Sequence, residues 1–151
     1  MTQVDFYVLQ SDTTQAQHDF ACRLVEKAYQ QGNRVVIATP DEASTSAMDE
    51  LLWTFKPESF LPHSTCSSED ADNTTNKDQQ QAGIFISHSN DECDHHDVLV
   101  NLRPTLPQQF SRFKRLAEVV IQEKNSLEAS RKSYAFYKQR GYPINTHKLK
   151  F

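Results

Sequence analysis

Arg131, Tyr134 and Lys138 lie three and four residues apart in a stretch with helical periodicity, so a guanidinium, a phenol ring and an ammonium share one helix face. Such a stripe can receive a carboxylate in the arginine fork and an apolar side chain against the ring. The competing reading is a helix that lies over its own core through Tyr134. A second group, Trp53, Phe60 and Leu61 around Pro57 and Pro62, joins large rigid side chains to a segment whose prolines restrict its conformations. Those are properties of an interface anchor, although the same residues would also serve to cover the edge of a core.

Other chemistries lack their residues. The 151-residue chain has three glycines, Gly32, Gly83 and Gly141, too scattered for a phosphate cradle. The turn where a nucleotide phosphate would sit reads Gln10-Ser11-Asp12-Thr13-Thr14, and Asp12 brings a negative charge there. Cys93-Asp94-His95-His96-Asp97 holds metal-ligand types, but adjacent histidines point in different directions and no second ligand set has a recognisable spacing. A solvated turn is the expectation. There is no G-x-S-x-G, no H-E-x-x-H and no pair of carboxylates in an apolar setting that would raise a pKa. The reading is a non-enzyme, without catalytic residues, metal or cofactor.

The net charge of −4 conceals a split. Residues 1–111 carry 6 Lys and Arg against 17 Asp and Glu, a net of −11, whereas residues 112–151 carry 10 against 3, a net of +7. An acidic majority disfavours wrapping a phosphate backbone, while the basic end attracts an acidic peptide or a polyanion. Direct binding of single-stranded nucleic acid by the basic C-terminal helix is therefore the alternative to binding an acidic peptide. No apolar run approaches the roughly 18 residues of a membrane span. Met1 to Leu9 runs into a strand pattern without signal-peptide features, and Cys22, Cys66 and Cys93 are spaced like independent reduced thiols. Both point to the cytoplasm.

The elements that must position these residues follow from periodicity. Strands are predicted near 4–9, 34–39, 84–87, 98–102 and 118–122, and helices near 14–31, 40–54 and 126–140, with a short helix over 110–117. Thr39 with Pro40 reads as the start of the second helix, and Asn125 with Glu128 as the cap of the last. Ala43, Ala47, Met48, Leu51 and Leu52 form the expected buried stripe of the second. Strand and helix alternate with short connections, which implies right-handed βαβ units. The fold class is α/β, three layers with a parallel-dominated sheet and no phosphate-binding loop, in one domain over 1–151. Residues 64–82 contain no large apolar side chain and are expected to form a disordered polar loop.

Several of these segments carry a likeness. Phe6-Tyr7-Val8-Leu9 with Asp12-Thr13-Thr14, Gly32 through Ala38, Asp49 through Trp53, Pro57-Glu58-Ser59-Phe60-Leu61-Pro62-His63, and Tyr134 through Gly141 to Asn145-Thr146 occur in order. Together they resemble the chi subunit family of bacterial DNA polymerase III, and the Trp followed by Pro-x-Ser-Phe-x-Pro-His is the most specific element. The resemblance implies a non-catalytic accessory protein of the clamp-loader assembly, with a Rossmann-like fold that has lost nucleotide binding, that pairs with the psi subunit and binds the acidic C-terminal tail of the single-stranded-DNA-binding protein. On that basis Trp53, Phe60, Leu61 and Pro62 are the psi-binding candidates. Arg131, Tyr134, Lys138 and Thr146 are the tail-binding candidates. DNA would be reached only indirectly, and whether a helicase or repair protein shares the psi surface stays open. The family often has a basic residue directly after the tyrosine matching Tyr134; here it is Ala135, with Lys132 or Lys138 as the available substitutes.

Overall fold

A computed structural model describes residues 2–54, 63–65, 83–88, 96–103, 105 and 110–149. Among these residues seven strands form one sheet: β1 (Gln3–Val8), β2 (Val35–Ala38), β3 (His63–Thr65), β4 (Ile84–Ser87), β5 (Val98–Asn101), β6 (Arg115–Val120) and β7 (Ile144–Lys148). Their order across the sheet is β3-β4-β2-β5-β6-β1-β7, and every pairing is parallel. β2, β4 and β5 are four-residue runs buried throughout, the pattern expected where helices or loops cover both faces of a parallel sheet.

Among the described residues three helices supply the outer layers: α1 (Thr14–Gln30), α2 (Glu42–Thr54) and α3 (Lys124–Gln139). On one face, Phe20, Ala21, Cys22 and Val25 of α1 and Met48 and Leu52 of α2 pack on Val35, Ile37, Ile84, Ile86, Val100 and Val119. On the other, Tyr137 of α3 closes over Val4, Phe6, Leu116 and Val120, together with Phe110 and Phe113. The predicted α/β sandwich is therefore the fold observed.

Several local expectations need correction. Asp41, not Thr39, starts α2: its carboxylate accepts from the Ser44 amide at 2.7 Å, which holds its pKa below the usual range. Thr39 is fully buried and donates to the Ser87 carbonyl instead. Ala43 and Ala47 are exposed, and Thr45 joins Met48 and Leu52 on the inner face. The short helix over 110–117 is a single 3-10 turn, Phe110–Arg112, after which the chain enters β6. Two strands went unread. Ser64 and Thr65, placed in the polar loop, belong to β3, while residues 66–82 lie outside the described residues. β7 is the second, and it lies at the edge of the sheet beside β1.

Candidate peptide-binding face

The sequence from Glu123 to Lys148 builds this face. Glu123 caps α3, accepting from the amides of Asn125 and Ser126 at 3.0 Å each, so Asn125 lies inside the first turn and is not the cap. At the other end Gly141 takes φ +79, a conformation that L side chains rarely adopt, and the Tyr142 amide bonds back to the Tyr137 carbonyl at 3.1 Å. Pro143 then turns the chain into β7.

Tyr137 fixes the helix to the sheet. It is fully buried among the rings of Phe6, Phe110, Phe136 and Tyr142, with centroids 5.6–6.2 Å away, and its hydroxyl donates to Glu118 Oε1 at 2.8 Å. Asn101 Nδ2 donates to both oxygens of the same carboxyl group, at 3.0 and 3.1 Å. Burial pushes the Glu118 pKa up to about 7, with both hydrogen bonds opposing the shift, and it raises the Tyr137 phenol well above its ordinary value. The sequence offers no pair of carboxylates in an apolar setting, and the structure buries a single one. The available signal was Glu118 standing alone within Leu116-Ala117-Glu118-Val119-Val120-Ile121.

One turn before Tyr137, Tyr134 lays its ring on Phe6 with centroids 5.6 Å apart, yet remains 41% exposed. Among the described residues it is the one exposed large hydrophobic side chain. Phe6 is paired in register with Thr146 of β7, so Tyr134 and Thr146 flank the same ring position at the sheet edge. Arg131 and Lys138, both exposed, share the Tyr134 side of the helix. The opposite flank, with Ser126, Ser130 and Ser133, lines a crevice of about 330 Å³ that also holds Arg103 and Glu118. The structure thus brings together Arg131, Tyr134, Lys138 and Thr146. It adds Lys148, exposed and in register with Val8 on the same face, which sequence reading missed because no strand was expected there.

The aromatic group is divided. Trp53 belongs to the last turn of α2, whereas Phe60, Leu61 and Pro62 lie outside the described residues. Cys93, Asp94 and His95 do so as well. Among the described residues no group of three His, Cys, Asp or Glu side chains is arranged to hold a metal ion. Cys22 is buried against the sheet, which pushes its thiol up to about 12. No described helix is long and apolar enough to cross a membrane.

An all-parallel sheet covered by helices, with a basic and aromatic stripe at one edge, defines the class as an α/β module with a candidate docking face. The fold is shared with the crystal structure of T4 UvsW (TM-score 0.71, 11% identity, 99% of this chain and 42% of that one). It is also shared with the structure of Mss116p DEAD-box helicase domain 2 bound to an RNA duplex (TM-score 0.68, 13% identity, 97% and 64%). The family described as DNA polymerase III chi subunit, HolC, matches residues 1–145, and the chain belongs to that family. It is 38% identical to DNA polymerase III subunit chi of Pseudomonas aeruginosa, over 99% of this chain and 98% of that protein. To the subunit of the same name from Escherichia coli it is 26% identical, over 97% of each. These matches support an accessory role in DNA replication as part of the DNA polymerase III complex.

Proposed function

We propose that this protein is a non-catalytic, single-domain cytoplasmic adaptor of the clamp-loader assembly. It joins the psi subunit to the acidic C-terminal tail of the single-stranded-DNA-binding protein. The observation that carries the tail-binding half is Tyr134: a ring seated on Phe6, open to solvent, beside Thr146 and flanked by Arg131 and Lys138. Tyr134 offers a wall for the apolar last side chain, and Arg131 a fork for the terminal carboxylate. Lys138 meets the acidic residues that precede it. Ala135 is exposed, and Lys132 and Lys138 are exposed cations on the same helix that take the place of a basic residue there. The psi-binding half is assigned to Trp53, Phe60, Leu61 and Pro62 on the family resemblance.

Calorimetric titration with the free tail peptide tests the reading. Arg131→Ala and Lys138→Ala should each weaken binding, and the wild-type affinity should fall with added salt because the attraction is between exposed charges. Amidating the peptide's C-terminus should weaken binding as much as Arg131→Ala does. Unchanged affinity in both variants would reject the site, and tight binding of a bare single-stranded oligonucleotide through the same residues would favour the nucleic-acid alternative.

A further inference from the structure

β7 is the last strand of the sheet, and its outer backbone has no strand beside it among the described residues. The two end bonds of its ladder fix which groups face outward. The Val4 amide donates to the Pro143 carbonyl at 2.9 Å, and the Leu149 amide donates to the Val8 carbonyl at 2.9 Å. In a parallel ladder the bonded residues alternate, so Asn145 and His147 turn their amides and carbonyls toward β1. Ile144, Thr146 and Lys148 turn theirs toward the open edge. Their side chains share the sheet face of their register partners Val4, Phe6 and Val8, which is the face covered by α3. Free backbone and basic stripe therefore belong to one surface.

The spacings agree as well. β6 and β7 both run parallel to β1, so α3 between them runs back the other way. Arg131, Tyr134 and Lys138 are about 4.5 and 6 Å apart along the helix axis. Ile144, Thr146 and Lys148 are about 6.6 Å apart along the strand. With Tyr134 over Phe6 at the level of Thr146, Arg131 falls toward Lys148 and Lys138 toward Ile144.

We propose that the acidic tail binds in extended form as an eighth strand, pairing its backbone with Ile144, Thr146 and Lys148 and running parallel to β7. This rests on the tail-binding reading above and adds how the peptide is held. Charge selects the occupant: Arg131, Lys138 and Lys148 surround the edge, and β7 beyond Ile144 is polar, so the edge offers hydrogen bonds and positive charge with little apolar area. A second copy of the same strand would bring like charges together, whereas an acidic peptide neutralises them. Parallel direction puts the terminal carboxylate at the Arg131 end and the preceding acidic residues toward Lys138.

Amide hydrogen exchange followed by NMR, with and without the free tail peptide, tests the pairing. Outward amides of Ile144, Thr146 and Lys148 that are bonded to the peptide should exchange at least about tenfold more slowly when it is bound. Those of Asn145 and His147, already bonded to β1, should change little. Thr146→Pro removes one outward amide and no bond to β1, a place where an edge strand tolerates proline. It should weaken peptide binding about tenfold while the melting temperature holds. A peptide N-methylated at the residue that follows the one in register with Thr146, whose amide would donate to the Thr146 carbonyl, should lose affinity on the unaltered protein. Bound peptide with unchanged exchange at Thr146 and Lys148 would overturn the strand pairing and leave the tail site standing. Absence of binding would overturn the tail site itself. Concentration-dependent protection of the same amides without peptide would assign the edge to a second copy and overturn the proposal.

Discussion

β2 and β7 are two strands of one parallel sheet, each introduced by a helix and a glycine turn, and they are held by opposite means. β2 lies between β4 and β5 with all four side chains buried. Among the described residues β7 has a neighbour on one side only, and four of its five residues are exposed. Side-chain burial places the first, whereas backbone pairing with β1 and the turn after α3 place the second. Of these two strands, the one that does less for the core carries the proposed docking edge.

Removing a side chain from each strand should separate the two roles most widely. Ile37 is fully buried in β2, and Ile37→Ala should destabilise the protein by about 2–5 kcal/mol, read from denaturant midpoints. Thr146→Ala, on an exposed edge position, should stay within about 0.5 kcal/mol of wild type. It should nonetheless reduce tail binding. Equal destabilisation by the two would mean that β7 is part of the core and would remove the contrast.

Next in size is the buried carboxyl group on which α3 rests. Glu118 has a pKa near 7 in the folded protein against an ordinary value of 4.5. The folded state therefore holds its proton over a range in which the unfolded chain has lost it. Its contribution to stability is complete below pH 4.5, falls as pH rises toward 7, and is constant above that, a loss on the order of 3 kcal/mol. Glu118→Gln keeps an acceptor for Tyr137 and cannot ionise, so its stability should fall less between pH 5 and pH 8 than that of wild type, in urea titrations. A wild-type slope retained in the variant would assign the pH dependence to other groups.

The same contrast explains what was legible beforehand. Val35-Val36-Ile37-Ala38, Ile84-Phe85-Ile86 and Val98-Leu99-Val100 announce themselves because burial on both faces demands continuous apolar runs. Ile144-Asn145-Thr146-His147-Lys148 has no such run, since a strand paired on one side and open to solvent needs only its backbone. The Arg131, Tyr134 and Lys138 stripe was readable because helical spacing places it without knowledge of the fold. Lys148 and the underlying Phe6 were not, because the first is placed by the β1–β7 register and the second by how α3 lies over β1. Glu118 escaped for a related reason: its partners Asn101 and Tyr137 are 17 and 19 residues away in sequence.

Phe60 probes the surface proposed for the psi subunit, far in sequence from β7. Truncating a buried interface aromatic costs on the order of 2 kcal/mol, so Phe60→Ala should weaken binding to the psi subunit at least about tenfold. Circular dichroism and thermal melts should stay unchanged, and tail-peptide affinity should not move. Loss of the fold would return Phe60 to the core, and normal psi binding would place the interface elsewhere.

The smallest effect gives the closest comparison, because the turns before β2 and β7 are alike. Gly32 and Gly141 have φ of +89 and +79, and a Cβ at either would meet nothing within 4 Å. Alanine at either position is therefore penalised by backbone conformation alone, about 1 kcal/mol, and asparagine, which tolerates this region better, by less. Gly32→Ala and Gly141→Ala should lower the denaturant midpoint by similar amounts. They should differ in function. A shifted turn before β2 is absorbed by a strand fixed through its four buried side chains, whereas a shifted turn before β7 moves the strand that carries Thr146 and Lys148 past Tyr134. Tail-peptide affinity should thus fall in Gly141→Ala and hold in Gly32→Ala. Equal affinities would mean that the ladder to β1 fixes β7 without help from its turn.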